Sequence, residues 1–184
     1  RLYAGYRRFV DSASGLHGAD AQLEMLNRYA EHYKALVTGT GSAPIAVFGR
    51  SVAVWDASPT HALALRVAAS SLPQAEQQEI FRNIESYLVR RAVCGLSRKN
   101  YNKVFAQQLR RLIESDLDAA SFRKTLTALT GDASRWPSDK EFRRQWLDGG
   151  TYPGRLDAPK LRTIFHRLET EIRTEKTEEP IPLA

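Results

Sequence analysis

Cysteine is almost missing from this 184-residue chain: the single Cys94 cannot close an internal disulfide, which fits a reducing compartment. Long apolar runs are missing too. Nothing approaches the roughly 18 to 20 uninterrupted apolar residues of a membrane span, and no charged, apolar, small-residue order marks a secretion signal. The expectation is a soluble, cytoplasmic protein that does not touch a membrane. Histidine is scarce, and His17, His32, His61 and His166 have no second ligand at metal spacing on a shared helical face, so neither a zinc site nor any other metal is expected. The loop Gly39, Thr40, Gly41, Ser42 is small enough to approach an anion. It lacks the lysine and the preceding strand of a phosphate-binding loop, and reads as an inter-helix turn. No Gly-x-Ser-x-Gly elbow, paired carboxylates or His-Cys arrangement can be assembled from near neighbours. Cys94, before Gly95 at a predicted helix end, sits where the helix dipole disfavours a thiolate. These residues are expected to form no enzyme and to hold no cofactor.

Strict apolar alternation is also scarce, whereas apolar spacing of three and four residues recurs from end to end. The chain is therefore expected to be all-α, an irregular bundle of about eight or nine helices. Leu2, Tyr6, Phe9, Val10 and Ala13 mark a short first helix, closed off by Gly15 and Gly18. The second has a predicted inner face of Leu23, Leu26, Ala30, Tyr33 and Val37, with Asp20 as its cap. Ile45, Phe48, Val52 and Trp55 fit a helical stripe, although Val47, Val52 and Val54 would also suit a strand. Ser58 and Pro59 start a helix that is apolar nearly all round from Ala62 to Leu72 and must be buried. After Pro73 a long helix is predicted over 74–94 on Ile80, Ile84, Tyr87 and Leu88, with Gly95 as its left-handed terminator.

The next helix, starting near Ser97, is the clearest. At 100° per residue Tyr101, Phe105, Gln108 and Leu112 share one side, and Lys99, Lys103 and Arg110 fall opposite. Shorter helices are predicted over 119–129 and 138–147, the second with Glu141 in a capping box with Ser138. Gly149, Gly150, Pro153 and Gly154 make an irregular turn. A last helix is predicted over 159–174 on Leu161, Ile164, Phe165, Leu168 and Ile172. Residues 177–184 carry acids and two prolines and read as a linker. The expected organisation is one helical domain over 1–176, with a subdivision near 131–137, and that linker leads toward a further domain. The chain starts at Arg1 rather than Met, so a piece of a longer protein is expected. Tyr3, Tyr6, Tyr29, Tyr33, Tyr87, Tyr101 and the tryptophans fall mostly on predicted inner faces, as core rather than as base-stacking platforms.

Charge is where the chain is unusual. Residues 82–111 hold eight cations against one acid, Glu85, a net +7 when the whole chain is only +6. Such clustering points to an acidic partner, most directly a phosphate backbone contacted without regard to sequence. The candidate DNA-binding residues are Arg90, Arg91, Arg98, Lys99, Lys103, Arg110 and Arg111. A solvated helix face would carry the same residue types. A face that docks onto an acidic protein surface would too, so three readings stay open.

The run Ile84-Glu85-Ser86-Tyr87-Leu88-Val89-Arg90-Arg91-Ala92-Val93-Cys94-Gly95-Leu96, followed by Asn100-Tyr101-Asn102-Lys103-Val104-Phe105, resembles the helical middle region of the GmrSD type of modification-dependent restriction proteins of bacteria. Trp136, Pro137, Phe142, Leu147, Tyr152 and the stretch 160–169 look like the segment before the nuclease in that anti-phage family. The resemblance implies a parent with a ParB-like nucleotide-hydrolysing domain before this module and an HNH nuclease after it, acting as a nucleotide-dependent DNA endonuclease. Neither the Asp-Gly-Gln-Gln-Arg type of nucleotide signature nor the His-containing nuclease motif occurs here. The resemblance therefore implies a non-catalytic helical scaffold between two catalytic domains, contacting DNA or docking to those flanking domains. Its matched residues Arg90, Arg91, Cys94, Gly95, Tyr101 and Asn102 have structural uses as helix end, tight turn and helix restart.

Overall fold

The computed structural model describes residues 2–12, 18–115 and 118–172. His17, Gly15, Ala13 and the predicted linker 177–184 lie outside them. Among the described residues the chain is all-α, with no strand. Its helices are α1 (Leu2–Ser12), α2 (Ala19–Thr38), α3 (Pro44–Val54), α4 (His61–Ala68), α5 (Gln74–Val93), α6 (Tyr101–Glu114), α7 (Ala119–Thr127), α8 (Asp139–Asp148) and α9 (Ala158–Ile172). A 3-10 turn, Ser58–Thr60, leads into α4, and a wide turn, Thr151–Arg155, leads toward α9.

The strand alternative for residues 45–55 fails because Pro44 sits at the first turn of α3, with φ preset for a helix. Ile45, Phe48, Val52 and Trp55 then fall on one face and are all buried. Helix α4 is buried through Leu63, Ala64 and Val67, yet it stops at Ala68, short of the predicted Leu72. Ser70 ends it: its hydroxyl donates to the Val67 carbonyl and accepts from the Leu72 amide, making a turn that competes with further helix.

Helix α5 is central, touching α3, α4, α7 and α8. Its inner face, Ile80, Ile84, Tyr87 and Leu88, is essentially solvent-free, and Phe81 stacks on Phe48 of α3 with centroids 4.7 Å apart. Gly95 ends it at φ +66°, with the Leu96 amide bonded to the Arg91 carbonyl and the Gly95 amide to that of Ala92. That is the Schellman pattern expected of a left-handed glycine. It turns the chain so that α6 packs Tyr101, Phe105, Gln108 and Leu112 inward, all buried. Tyr87, Tyr101 and Phe105 meet with centroids 5.6 to 5.9 Å apart, tilted or edge-on.

The predicted inner face of α2 is overturned. Leu23, Leu26, Tyr33 and Val37 are 52–56% exposed, Ala30 is exposed too, and the less exposed side is Gln22, Met25, Tyr29, His32, Ala35 and Leu36, with Ala35 and Leu36 packed on the core. The cause is Gly49. A Cβ there would stand 2.1 Å from the Leu36 carbonyl oxygen, so the missing side chain lets α3 ride directly on the α2 backbone at Leu36 and sets the helix's rotation. Tyr3, Tyr6 and Tyr33 are likewise exposed rather than core. In α9 Ile164 is buried and Leu161 half-buried, but Phe165, Leu168 and Ile172 are exposed. The capping box of α8 forms only by half: Ser138 accepts from the Glu141 amide, while the Glu141 carboxylate takes the Arg135 guanidinium at 2.6 and 2.7 Å. Two bonds from a cation outcompete the single bond that the cap amide could donate to the same carboxylate. Helix α6 starts at Tyr101, later than Ser97, whose hydroxyl instead accepts the Lys99 amide.

Candidate nucleic-acid interface

The seven candidate cations share a stretch of sequence but not a surface. Arg91 is fully buried and is no part of an interface. Its guanidinium donates to the carbonyls of Ser97 (2.6 Å), Arg135 (2.9 Å), Ala133 (3.1 Å) and Asp132 (3.3 Å), and its carbon lies 5.4 and 5.8 Å from the Tyr87 and Tyr101 ring centres. Among the described residues no carboxylate pairs with it; carbonyl dipoles and two aromatic faces hold the charge. The phase of α5 dictates this. Arg91 lies within about 20° of Ile80 and Tyr87 within about 20° on the other side, so Arg91 points where the core residues point.

Arg90 is also withdrawn, with 17% of its side chain exposed. It pairs with Asp139 at 2.5 Å, donates to the Pro137 carbonyl at 3.1 Å and lies 5.3 Å from the ring centres of both Trp136 and Phe142. Arg90 and Arg91 therefore fasten 132–139 and the start of α8 onto α5. Arg98 is exposed but partly engaged, donating to the Trp55 carbonyl at 3.2 Å and pairing with Asp56 at 3.3 Å.

Lys99, Lys103 and Arg110 are exposed, and among the described residues none of them forms an ion pair. At 100° per residue Lys103 and Arg110 fall within about 20° of one another on α6, and Lys99 stands in the turn just before it. Lys103 and Arg110 stand two turns apart, about 10.5 Å along the axis. The opposite side of α6 is committed: besides its aromatic contacts, Gln108 accepts a hydrogen bond from the Thr125 hydroxyl. The helix has no acid in its first turn and no side-chain cap, so its positive N-terminal end adds to Lys99 and Lys103. Arg111 is half-buried on the flank, again without an ion pair among the described residues. An open cleft of about 530 Å³ lies where the 97–102 bend meets the 3-10 turn, with Asp56, Arg98, Lys99 and Asn102 on its rim. The face can accept several anionic oxygens through cations that no neighbouring acid neutralises.

The remaining chemistry-bearing groups do not converge. Among the described residues no three His, Cys, Asp or Glu side chains stand where they could hold a metal ion. The Cys94 thiol is half-buried, and burial chiefly pushes its pKa up. Burial lifts the Tyr87 hydroxyl to about 12, and that hydroxyl donates to the Ser134 carbonyl at 2.8 Å. Arg50 donates to the carbonyls of Gly39 and Gly41, so the small-residue loop is held as a turn. Among the described residues no helix is long and apolar enough to cross a membrane. Compared with family models, curated proteins and solved structures, the chain matches none.

Proposed function

We propose that this chain is a non-catalytic helical scaffold that contacts the phosphate backbone of DNA through the outer face of α6, within a restriction protein of the GmrSD type. The observation that carries the DNA contact is the set Lys99, Lys103 and Arg110, exposed and, among the described residues, without ion pairs, with Lys99 in the turn just before α6 and the other two on its outer face, opposite the side committed to the core. Three phosphates neutralised on duplex DNA correspond to a slope of about −2.7 in log K against log salt. Arg111, and Arg98 on release from Asp56, steepen that slope if they reach the backbone.

The restriction-type setting rests on the run 84–105, whose residues have definite work in this fold. Arg91 bridges α5 to 132–135 and Ser97, Gly95 makes the turn, and Tyr101 opens α6 against the core. Arg90 and Arg91 leave the candidate interface, since their guanidinium groups are withdrawn into the molecule.

Fluorescence anisotropy with a labelled duplex at stepped salt tests the contact. Binding at low salt that weakens with the expected slope, and is lost when Lys99, Lys103 and Arg110 are each changed to Glu, is the expected result. No low-salt binding, or binding indifferent to that charge reversal, overturns it and leaves docking to an acidic protein surface as the use of the face.

A further inference from the structure

The exposed stripe of α2 has a regularity that surface residues do not need. Leu23, Leu26, Ala30, Tyr33 and Val37 follow one another at intervals of three, four, three and four, and at 100° per residue they occupy an arc of about 80°. This is the spacing of a coiled-coil seam, in which two helices keep one face in register. Four of the five side chains leave more than half their area in water, and α1 adds Tyr3 at 76% and Phe9 at 53%, with α1 tied to the start of α2 by the Tyr6 hydroxyl on Gln22. Together these surfaces amount to roughly 750 Å², close to the ~800 Å² per partner of a specific interface. An apolar area of this extent on a monomer marks an interaction site.

We infer that a second copy of this chain covers the stripe, pairing α2 with α2 in parallel about a two-fold axis that runs along the helices. Three observations select that occupant and orientation. The seam is self-complementary in register: parallel pairing stacks Leu26 on Leu26 and Tyr33 on Tyr33, with small Ala30 between them to let the backbones close. The flanks of the seam differ. On one side Gln22 meets Tyr6 of α1, Tyr29 is half-buried and Leu36 is buried against α3, and on the other Asn27 and Lys34 are open to solvent. A two-fold axis along the helices sets each copy's body against the other's open flank, whereas antiparallel pairing would crowd both bodies onto the same side. Finally, the available area meets the need of a specific dimer once α1 is counted. The seam also leaves the cationic face free. Helix α4 touches both α2 and α6 and stands between them, so the dimer carries two α6 faces.

Sedimentation velocity over a concentration series tests the pairing. The chain is expected to run at twice its mass at micromolar concentration, and Leu26→Glu with Tyr33→Glu to raise the dissociation constant at least tenfold. Both positions are exposed, so an unchanged far-UV spectrum separates lost pairing from lost folding. Leu147→Glu, at another exposed apolar residue, leaves the dimer intact. In a Cys94→Ala background, Val37→Cys at the end of the seam cross-links to itself under mild oxidation, and Glu31→Cys on the polar side does not. A monomer at about 100 µM overturns the proposal and assigns the stripe to a segment of another domain. A dimer that survives the two glutamates, or equal cross-linking at both cysteine positions, overturns it too. The salt titration reads α6 in either oligomeric state, so each proposal can fail alone.

Discussion

Replacing Arg91 tests whether a cation in the most basic stretch of this chain serves the fold rather than a partner. Its guanidinium meets four backbone carbonyls, three of them at 3.1 Å or less, and lies against two tyrosine rings. Hydrogen bonds to a charged donor are worth about 1.5 to 3 kcal/mol each, but burying the charge offsets much of that gain. Ser97, Asp132 and Ala133 are exposed residues, so water recovers part of the carbonyl bonding once the side chain is gone. The net cost of Arg91→Ala, with its cavity, is then about 3 to 5 kcal/mol. Arg91→Met fills the volume without donors and costs about 2 to 4 kcal/mol, and Arg91→Lys, which keeps the charge but not the fork, about 1 to 3 kcal/mol. At roughly 2–4 °C per kcal/mol for a chain of this size, Arg91→Ala lowers Tm by roughly 6 to 20 °C. Urea unfolding followed by circular dichroism measures the series, with Lys103→Met as an exposed comparison expected to change stability by less than about 0.5 kcal/mol. If Arg91→Met lies within about 1 kcal/mol of the parent, the network is not holding α5 to 132–135 and the reasoning fails.

Other substitutions address the remaining contacts. Gly49→Ala places a methyl 2.1 Å from the Leu36 carbonyl oxygen, where backbone must yield, and is expected to cost about 3 kcal/mol or more in the same unfolding assay. Gly95→Ala forces an alanine to φ +66° and costs about 1 to 2 kcal/mol, read as a fall in urea midpoint. Two acids should respond to pH with opposite signs. Arg135 hydrogen-bonds Glu141 and holds its pKa below the ordinary 4.5, so its contribution is present above about pH 4.5 and fades as acid protonates it. Glu141→Gln therefore costs up to about 1 kcal/mol at neutral pH and less in acid. Burial pushes Glu85 the other way, despite Arg167, Ser51 and Arg82 nearby, so its ionisation works against folding as pH rises past about 4.5. Relative to the parent, Glu85→Gln should gain stability between pH 4 and 7. A gain for Glu141→Gln or a loss for Glu85→Gln over that range contradicts the assigned causes.

Much of the helical architecture was legible because the information is local. Pro44, Pro59, Gly39, Gly95 and the Ser138 cap punctuate the chain, and the inner faces of α3, α5 and α6 follow from spacing alone. What failed depended on contacts between distant residues. The stripe of α2 is the better amphipathic pattern, yet the absence of a side chain at Gly49 decides which face docks, and no spacing within α2 contains that fact. Helix α9 errs the same way: its apolar stripe is wider than the surface offered to it, and only Ile164 is fully covered.

The candidate interface shows the same division at the level of single side chains. Summed charge over 82–111 treats Arg90, Arg91, Lys103 and Arg110 alike, but a helix distributes residues by angle. The angle was available from the sequence: on α5 Arg91 shares the arc of Ile80, Ile84 and Tyr87, while on α6 Lys103 and Arg110 oppose Tyr101, Phe105 and Gln108. Arg90 needed more, because its withdrawal depends on Trp136, Pro137, Asp139 and Phe142, more than forty residues away. A basic segment that joins two helices thus splits into cations whose charge is consumed in assembly and cations whose charge remains for a ligand. Only the second group should set the salt dependence of DNA binding, and only the first should set the urea midpoint. Measuring both quantities on Arg91→Lys and on Lys103→Glu separates the two groups directly: each variant is expected to move one quantity and leave the other where it was.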